Sequence, residues 1–284
     1  MNPPAPLVSR SRAHRSPAFL RWLSSIVALL ALFAHAPSHA GRITLQLSTT
    51  PTVREGQLLC RVQVTNSGDE AASNVQAHVE FQGRRHSSPS LPSLGVQKSH
   101  TADFSVPLSG VPTGRHSLAV SIDYTDANGY AFTALSYASF ILGADNPPKL
   151  HAVIEPVELG RDARLEMRLK NLDSTPRQLA LRLILPKEIS SSQAEHNIML
   201  GGSSEQVVRF ELRNFSALEG SIYQVFVLSD YEGDGGHSSL ITPGTIKIVA
   251  ASDFFRTYRA PLIAGIAVLM LLFLGVQVYS RFRK

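Results

Sequence analysis

Between residues 41 and 250 the chain is written twice, with a period near 106 residues. Pro51 is matched by Pro156, Asn66 by Asn171, Phe104 by Phe210, Gly114 by Gly220, and Asp123-Tyr124 by Asp230-Tyr231, at offsets between 105 and 107. Landmarks that keep their order at such spacing, with little identity between them, point to duplication of a whole domain rather than to a solenoid of small units. Each half alternates. In LLCRVQVTN, Cys60, Val62 and Val64 fall on one face, against Leu59, Arg61, Gln63 and Thr65 on the other. Val75, Ala77 and Val79 repeat this in NVQAHVEF, Leu118, Val120 and Ile122 in RHSLAVSIDY, and Leu165, Met167 and Leu169 in ARLEMRLKN. A period of two sets one face on a core and the other in solvent. Clusters of Gly, Pro, Asn, Asp and Ser separate the runs. About six or seven short strands per half predict an all-β chain of two tandem immunoglobulin-like β-sandwiches. The boundary falls at LGADNPPKL, where Pro147-Pro148 leave a short, stiff hinge.

The stretches VTNSGDEAASNVQAHVEF and IDYTDANGY resemble the CARDB-type and related bacterial Ig-like domains of cell-surface proteins. In those domains an extended N-G-D turn follows the second strand and a D-x-x-G hairpin precedes the last. The resemblance covers residues 43–142 well and 151–250 weakly, because Asn171-Leu172-Asp173 stands where the first half has Asn66-Ser67-Gly68-Asp69. These are turn motifs, so they speak to fold more than to activity. The resemblance implies an interaction or adhesion module.

The two ends read as targeting segments. Arg10, Arg12, Arg15 and Arg21 precede the apolar run Leu23 to Ala34, and Ser38-His39-Ala40 offers small residues for a cut after Ala40. Residues 1–40 therefore read as a signal peptide, with an uncleaved anchor as the alternative. Ala260 to Val278 is almost wholly apolar. At 1.5 Å per residue such a run spans about 28 Å, against a hydrocarbon core of roughly 30 Å. Phe254, Phe255, Tyr258 and Tyr279 flank it as interfacial aromatics do, and Arg281-Phe282-Arg283-Lys284 forms a basic stop. The expected organisation is a signal peptide (1–40), a first sandwich (41–145), a second (146–250), a tether (251–259), a transmembrane helix (260–279) and a cytoplasmic tail (280–284). The membrane is of the bacterial inner type, with both sandwiches outside.

The net charge of +5 belongs to these ends. Nine of the 27 Lys and Arg flank the apolar runs, and the 18 that remain face all 22 Asp and Glu, so the middle is acidic by four. A nucleic-acid partner needs a basic stripe, and Arg84-Arg85 is the only basic pair there. Cys60 is the single cysteine and sits in a strand, which excludes an intrachain disulfide and gives a buried thiol.

Two loops invite a functional reading. The first, SIDYTDANGYAF, carries Asp123, Asp126 and Asn128; the second, VLSDYEGDGGHS, carries Asp230, Glu232 and Asp234 before Gly235. The second opens like a calcium-binding EF-hand loop, D-x-[DN]-x-[DN]-G, whose spacing converges oxygens on one ion. Here the third ligand position is Glu232, the twelfth is Ile241, where a bidentate Glu is needed, and no helix flanks the loop. Asn128-Gly129 is a preferred hairpin turn, since both residues tolerate positive φ. The expectation is one structural hairpin turn used twice and no cofactor, with Asp230, Glu232 and Asp234 as the ligands if calcium binds. Asp123, Asp126, Asn128, Asp230 and Asp234 are the candidate interaction residues. His78, His86, His100, His116, His151, His196 and His237 show no metal-ligand spacing, and no nucleophile motif is present, so no enzymatic activity is expected.

These readings lead to a membrane-anchored extracytoplasmic binding or scaffolding protein, an accessory component of a cell-envelope transport, secretion or polysaccharide system. Its partners would be other envelope or inner-membrane proteins. The alternative is a surface adhesin or glycan-binding protein, for which Tyr130, Tyr137, Tyr223 and Tyr231 would supply the stacking faces.

Overall fold

A computed structural model describes residues 41–233, 235–250, 258, 260–266, 268–269 and 272–273. The first eight strands are β1 (Leu45–Arg54), β2 (Gln57–Asn66), β3 (Ala72–Phe81), β4 (Arg84–Ser87), β5 (Leu91–Leu94), β6 (Ser99–Pro107), β7 (Gly114–Thr125) and β8 (Ala131–Leu142). β1, β2 and β6 make one antiparallel sheet. In the other, β3 pairs with β7, β4 and β5, and β7 pairs with β8. The alternation read from the sequence is the reason they face each other. Leu58, Cys60, Val62 and Val64 from β2 share a core with Val75, Ala77, Val79, Leu118, Val120 and Ile122 from β3 and β7. Each Val, Leu or Ile removed from water in this core contributes about 1.5–3 kcal/mol.

Nine further strands follow: β9 (Leu150–Ile154), β10 (Val157–Leu159), β11 (Asp162–Asn171), β12 (Arg177–Ile184), β13 (Ile189–Ser191), β14 (Glu195–Leu200), β15 (Glu205–Asn214), β16 (Ile222–Gly233) and β17 (Gly236–Ile248). One sheet runs β13-β15-β11-β9, and the other β14-β12-β16-β17, with β10 parallel to β17. Leu165, Met167 and Leu169 meet Phe210, Leu179, Leu181, Val225 and Val227 in a second core that shares no residue with the first. The strands outnumber the six or seven expected per half because β4, β5, β10 and β13 are only three or four residues long. Such pieces are too short to show alternation.

The matched landmarks behave alike at atomic detail. Asn66 is fully buried; its side-chain amide donates to Glu70 O (2.7 Å) and Leu94 O (3.1 Å), and its Oδ1 accepts from Gly68 N (3.0 Å). Asn171, equally buried, donates to Thr175 O (2.9 Å) and Gly201 O (3.0 Å) and accepts from Asp173 N (3.0 Å). The prolines diverge. Pro51 lies inside β1, an edge strand paired only with β2, where a missing N–H is tolerated. Pro156 separates β9 from β10, and the chain changes sheets there.

Tyr258 and residues 260–266, 268–269 and 272–273 are helical, and the apolar side chains among them are exposed. Among the described residues no helix is long and apolar enough to cross a membrane. The signal segment 1–40 and the rest of the 260–279 span lie outside the described residues.

Candidate functional site

The two loops singled out above are the final hairpins of the two halves, β7–β8 and β16–β17, yet they are different turns. In the first, residues 126–130 connect the strands. Asp126 closes it from within: its Oδ1 accepts from the N–H groups of Asn128 and Tyr130, both at 2.9 Å, and Gly129 takes a φ of +81°. Asn128 is exposed at the tip. Asp123 does not belong to the turn. It lies within β7 opposite Thr133, and its side chain points to the second sandwich. In the second hairpin Gly233 pairs with Gly236, leaving a two-residue connection, 234–235, of which Asp234 lies outside the described residues.

Asp230 and Glu232 are strand residues on one face of β16, and both reach His237 across the hairpin. Glu232 Oε1 is 2.8 Å from His237 Nδ1, and Asp230 Oδ1 is 3.7 Å from Nε2. Burial lowers the His237 pKa, but the two carboxylates outweigh it and the net direction is up. Two of the three carboxylates considered for calcium, Asp230 and Glu232, are therefore already engaged by His237. Among the described residues no group of three or more His, Cys, Asp or Glu is arranged to hold a metal.

His237 opens a junction between the sandwiches. Its ring stacks on that of His116 with centroids 4.3 Å apart and planes 9° off parallel. His116 is buried beside Phe81 and Phe140, and its Nε2 lies 2.8 Å from Pro112 O, which makes Nε2 the protonated nitrogen. Burial, then the charge on His237, holds the His116 pKa down. The main chains touch here as well. His237 N donates to Thr113 O at 2.8 Å, and a single parallel bridge, His237 to Gly114, joins β17 to β7 and makes one ten-stranded sheet. Only glycine fits. A Cβ on Gly114 (φ +137°) would lie 2.0 Å from His237 O, and one on Gly236 (φ +116°) 2.4 Å from Thr113 O. The hinge is bonded down rather than free. Asn146 Nδ2 donates to Gly236 O (2.7 Å), Ser238 Oγ to Asn146 O (2.9 Å) and Lys149 N to Tyr231 Oη (2.8 Å), while Arg115 forks onto Asp145.

A second set of contacts lies along the same seam, with Asp123 at its centre. Its Oδ2 is 2.9 Å from Arg85 Nη2 and is bonded by Lys187 Nζ; its Oδ1 accepts from Thr133 Oγ1 at 3.1 Å. His78 Nε2 is also 2.8 Å from Oδ2, in a poorly directed contact. Burial raises the Asp123 pKa, but Lys187, His78 and Thr133 outweigh it and the carboxylate is stabilised. Arg182 Nη1 reaches Glu80 Oε1 at 2.6 Å. Glu188 is almost wholly buried: Oε1 accepts from Thr133 N at 2.9 Å, while Oε2 has no protein donor. Burial pushes the Glu188 pKa up, and burial together with Glu188 pushes Tyr124 up to about 12. A cleft of about 70 Å³ beside Asp123, Arg85 and Lys187 is far below the roughly 300–1,000 Å³ of ligand pockets. Along this seam polar groups of the two sandwiches bond to each other.

Sequence reading missed Lys187, Glu188, Arg182 and His116. Their partners are remote in sequence, and the only signal was Arg84-Arg85 as an isolated basic pair. Of the four tyrosines considered for glycan stacking, Tyr223 and Tyr231 are buried, Tyr130 is exposed, and the exposed Tyr137 packs edge-on against Phe226 at 4.9 Å. Larger openings lie at sandwich edges. One of about 300 Å³ runs between β5 and β6, lined by Pro89, Leu91, His100 and Asp103. Another of about 440 Å³ lies by β13 and β15, lined by Asp162, Ser190, Glu211 and Arg213.

Residues 42–127 match the CARDB family model, in agreement with the resemblance carried by the turns of the first half. No curated protein matches the chain. Among solved structures, red sea bream transglutaminase is 13% identical over 85% of this chain and 34% of its own, with a TM-score of 0.26. The chain thus spans about a third of that enzyme. A Porphyromonas gingivalis W83 protein of unknown function is 11% identical over 72% of this chain and 99% of its own, at 0.30. The periplasmic chaperone SfaE is 16% identical over 72% of this chain and 100% of its own, at 0.31.

Proposed function

We propose that this chain, with its CARDB-matching first half, is a membrane-anchored extracytoplasmic scaffold. A signal peptide (1–40) exports tandem Ig-like sandwiches (41–145 and 146–250). A tether (251–259) leads to a transmembrane helix (260–279) and a short cytoplasmic tail (280–284). The scaffold serves a cell-envelope transport, secretion or polysaccharide system by holding other envelope or inner-membrane proteins.

The observation that supports binding over chemistry is where the polar groups and the open edges lie. Asp123, Asp126, Asp230 and Glu232 are bonded within the chain. By contrast β6 and β13 end their sheets, and each borders a groove. Edge strands offer unpaired backbone donors and acceptors to an added strand. The test is a crosslinked pull-down of the tagged full-length protein from membranes, followed by mass spectrometry. Stoichiometric recovery of membrane subunits is expected, and it should fall when proline replaces Thr101 in β6. Recovery of the protein alone refutes the scaffold reading.

A further inference from the structure

The loops that enter β7 and β16 correspond at the offset of 106 that relates Phe104 to Phe210 and Gly114 to Gly220. In the first sandwich this loop is docked, since Thr113 O and Gly114 meet His237 of the second. At the matching positions Ser109 becomes Phe215, Pro112 becomes Leu218, and His116 becomes Ile222. His116 is 1% exposed against the second sandwich, whereas Phe215 is 81%, Leu218 47% and Ile222 68% exposed. Ile222 thus stands exposed at the position where His116 makes the first sandwich's joint, Phe215 and Leu218 stand exposed beside it, and no described residue covers the three.

These side chains stand on a rigid base. Asn214 Nδ2 donates to Ala217 O (3.1 Å), Ala217 N donates back to Asn214 Oδ1 (2.8 Å), and Phe215 N and Ser216 N donate to Glu188 O. Ala217 is buried in the core. The loop is also tied to the chain's exit: Gly220 N donates to Ile248 O and Ile248 N to Ser221 O, each at 2.9 Å. Tyr258, ten residues on and a reach of at most about 36 Å, is helical, as are residues 260–266 of the apolar run.

We propose that Phe215, Leu218 and Ile222 form a lipid contact that seats the second sandwich on the bilayer in which residues 260–279 are anchored. This rests on the anchoring proposed above. The contact is the membrane counterpart of the first sandwich's joint: the same loop docks on whatever follows it along the chain. For the first sandwich that is a protein, and for the second it is a lipid surface. Large apolar and aromatic side chains on a fixed loop suit the boundary between headgroups and acyl chains.

The test uses the full-length chain carrying W22F, which removes the only tryptophan. F215W, S109W and F273W are each added singly and reconstituted into phosphatidylcholine–phosphatidylglycerol vesicles with plain or brominated acyl chains. F273W reports on the anchor, and S109W on the matching loop of the first sandwich. F273W and F215W are both expected to be quenched by bromine, F215W by roughly half for a ring about 5–10 Å into the interface, with S109W unaffected. F215W unquenched beside a quenched F273W overturns the lipid contact and leaves anchoring intact. An F215W emission that is blue-shifted but blind to bromine places the ring against protein, within the chain or in a second copy of it, and overturns the contact too. S109W quenched as strongly as F215W means the loop is not specific, which also overturns it. If neither F215W nor F273W is quenched, the anchoring reading fails and takes the contact with it. F215W quenched without F273W refutes the anchor and, with it, the seating on an anchored bilayer.

Discussion

Replacing Gly114 with alanine tests whether the two sandwiches are one body. The new Cβ would lie 2.0 Å from His237 O, and the backbone would keep a φ of +137°. Strain of that kind costs about 1–3 kcal/mol. Relief requires the strands to part, which loses the His237 N–H to Thr113 O bond, worth about 1 kcal/mol. It also loses the His116–His237 stack, worth about 0.5–1.5 kcal/mol. The total is about 3–5 kcal/mol, which at ~2–4 °C per kcal/mol is a fall in melting temperature of about 6–20 °C. G110A is the control, because Gly110 lies in the same loop with φ +80° and nothing within 4 Å of its would-be Cβ. It should lose only the strain, about 1 kcal/mol. Thermal melts by circular dichroism give the loss, and hydrogen exchange at the His237 amide locates it. If G114A melts with G110A and His237 stays protected, the joint does not carry the load assigned to it here.

Three further outcomes follow from the polar groups. The Glu188 pKa is raised in the folded protein, so its contribution is fully present below about pH 4.5 and is lost as pH rises through the higher folded value. E188Q should therefore melt a few degrees above wild type at neutral pH, with the gap closing towards pH 4, and a melting series across that range checks it. The His237 pKa is also raised, so its stabilisation is present below about pH 6.5 and fades as pH rises. E232Q should melt lower than wild type at pH 6, by at most about 1 kcal/mol since Glu232 is exposed, and converge with it at alkaline pH. N66A and N171A each remove the side-chain partner of two backbone carbonyls and one N–H, of which the Leu94 carbonyl is buried and the rest are part-buried, and each should lower stability by about 1–3 kcal/mol in urea titrations.

The sandwich cores were legible because alternation is a local property. Cys60, Val62 and Val64, or Leu165, Met167 and Leu169, carry their burial in their spacing. Asn66 and Asn171 were legible as matched landmarks, though not as buried hydrogen-bonding hubs. The Asp-rich hairpin was legible as a turn, but the partner of its carboxylates was not. Oxygens at alternate positions suit a metal loop, but on a β-strand the same spacing puts Asp230 and Glu232 on one face, where a cross-strand histidine can take both. Asp123 was read as part of its turn because Asp126 lies three residues away, yet its partners His78, Arg85 and Lys187 come from β3, β4 and the segment after β12. Contacts between distant segments leave no period in a sequence, so the seam could be found only by folding it.

β17 begins at the junction and ends where the chain leaves for the apolar run, thirteen residues or roughly 40 Å later. One strand thus acts as a strut between the junction with the far sandwich and the segment that follows Ile248. A torque applied to the first sandwich enters at His237 and Gly114 and arrives at Ile248 without crossing a loop. Held on both sides by β16 and, near its end, β10, the strut cannot shift without disturbing many ladder hydrogen bonds together.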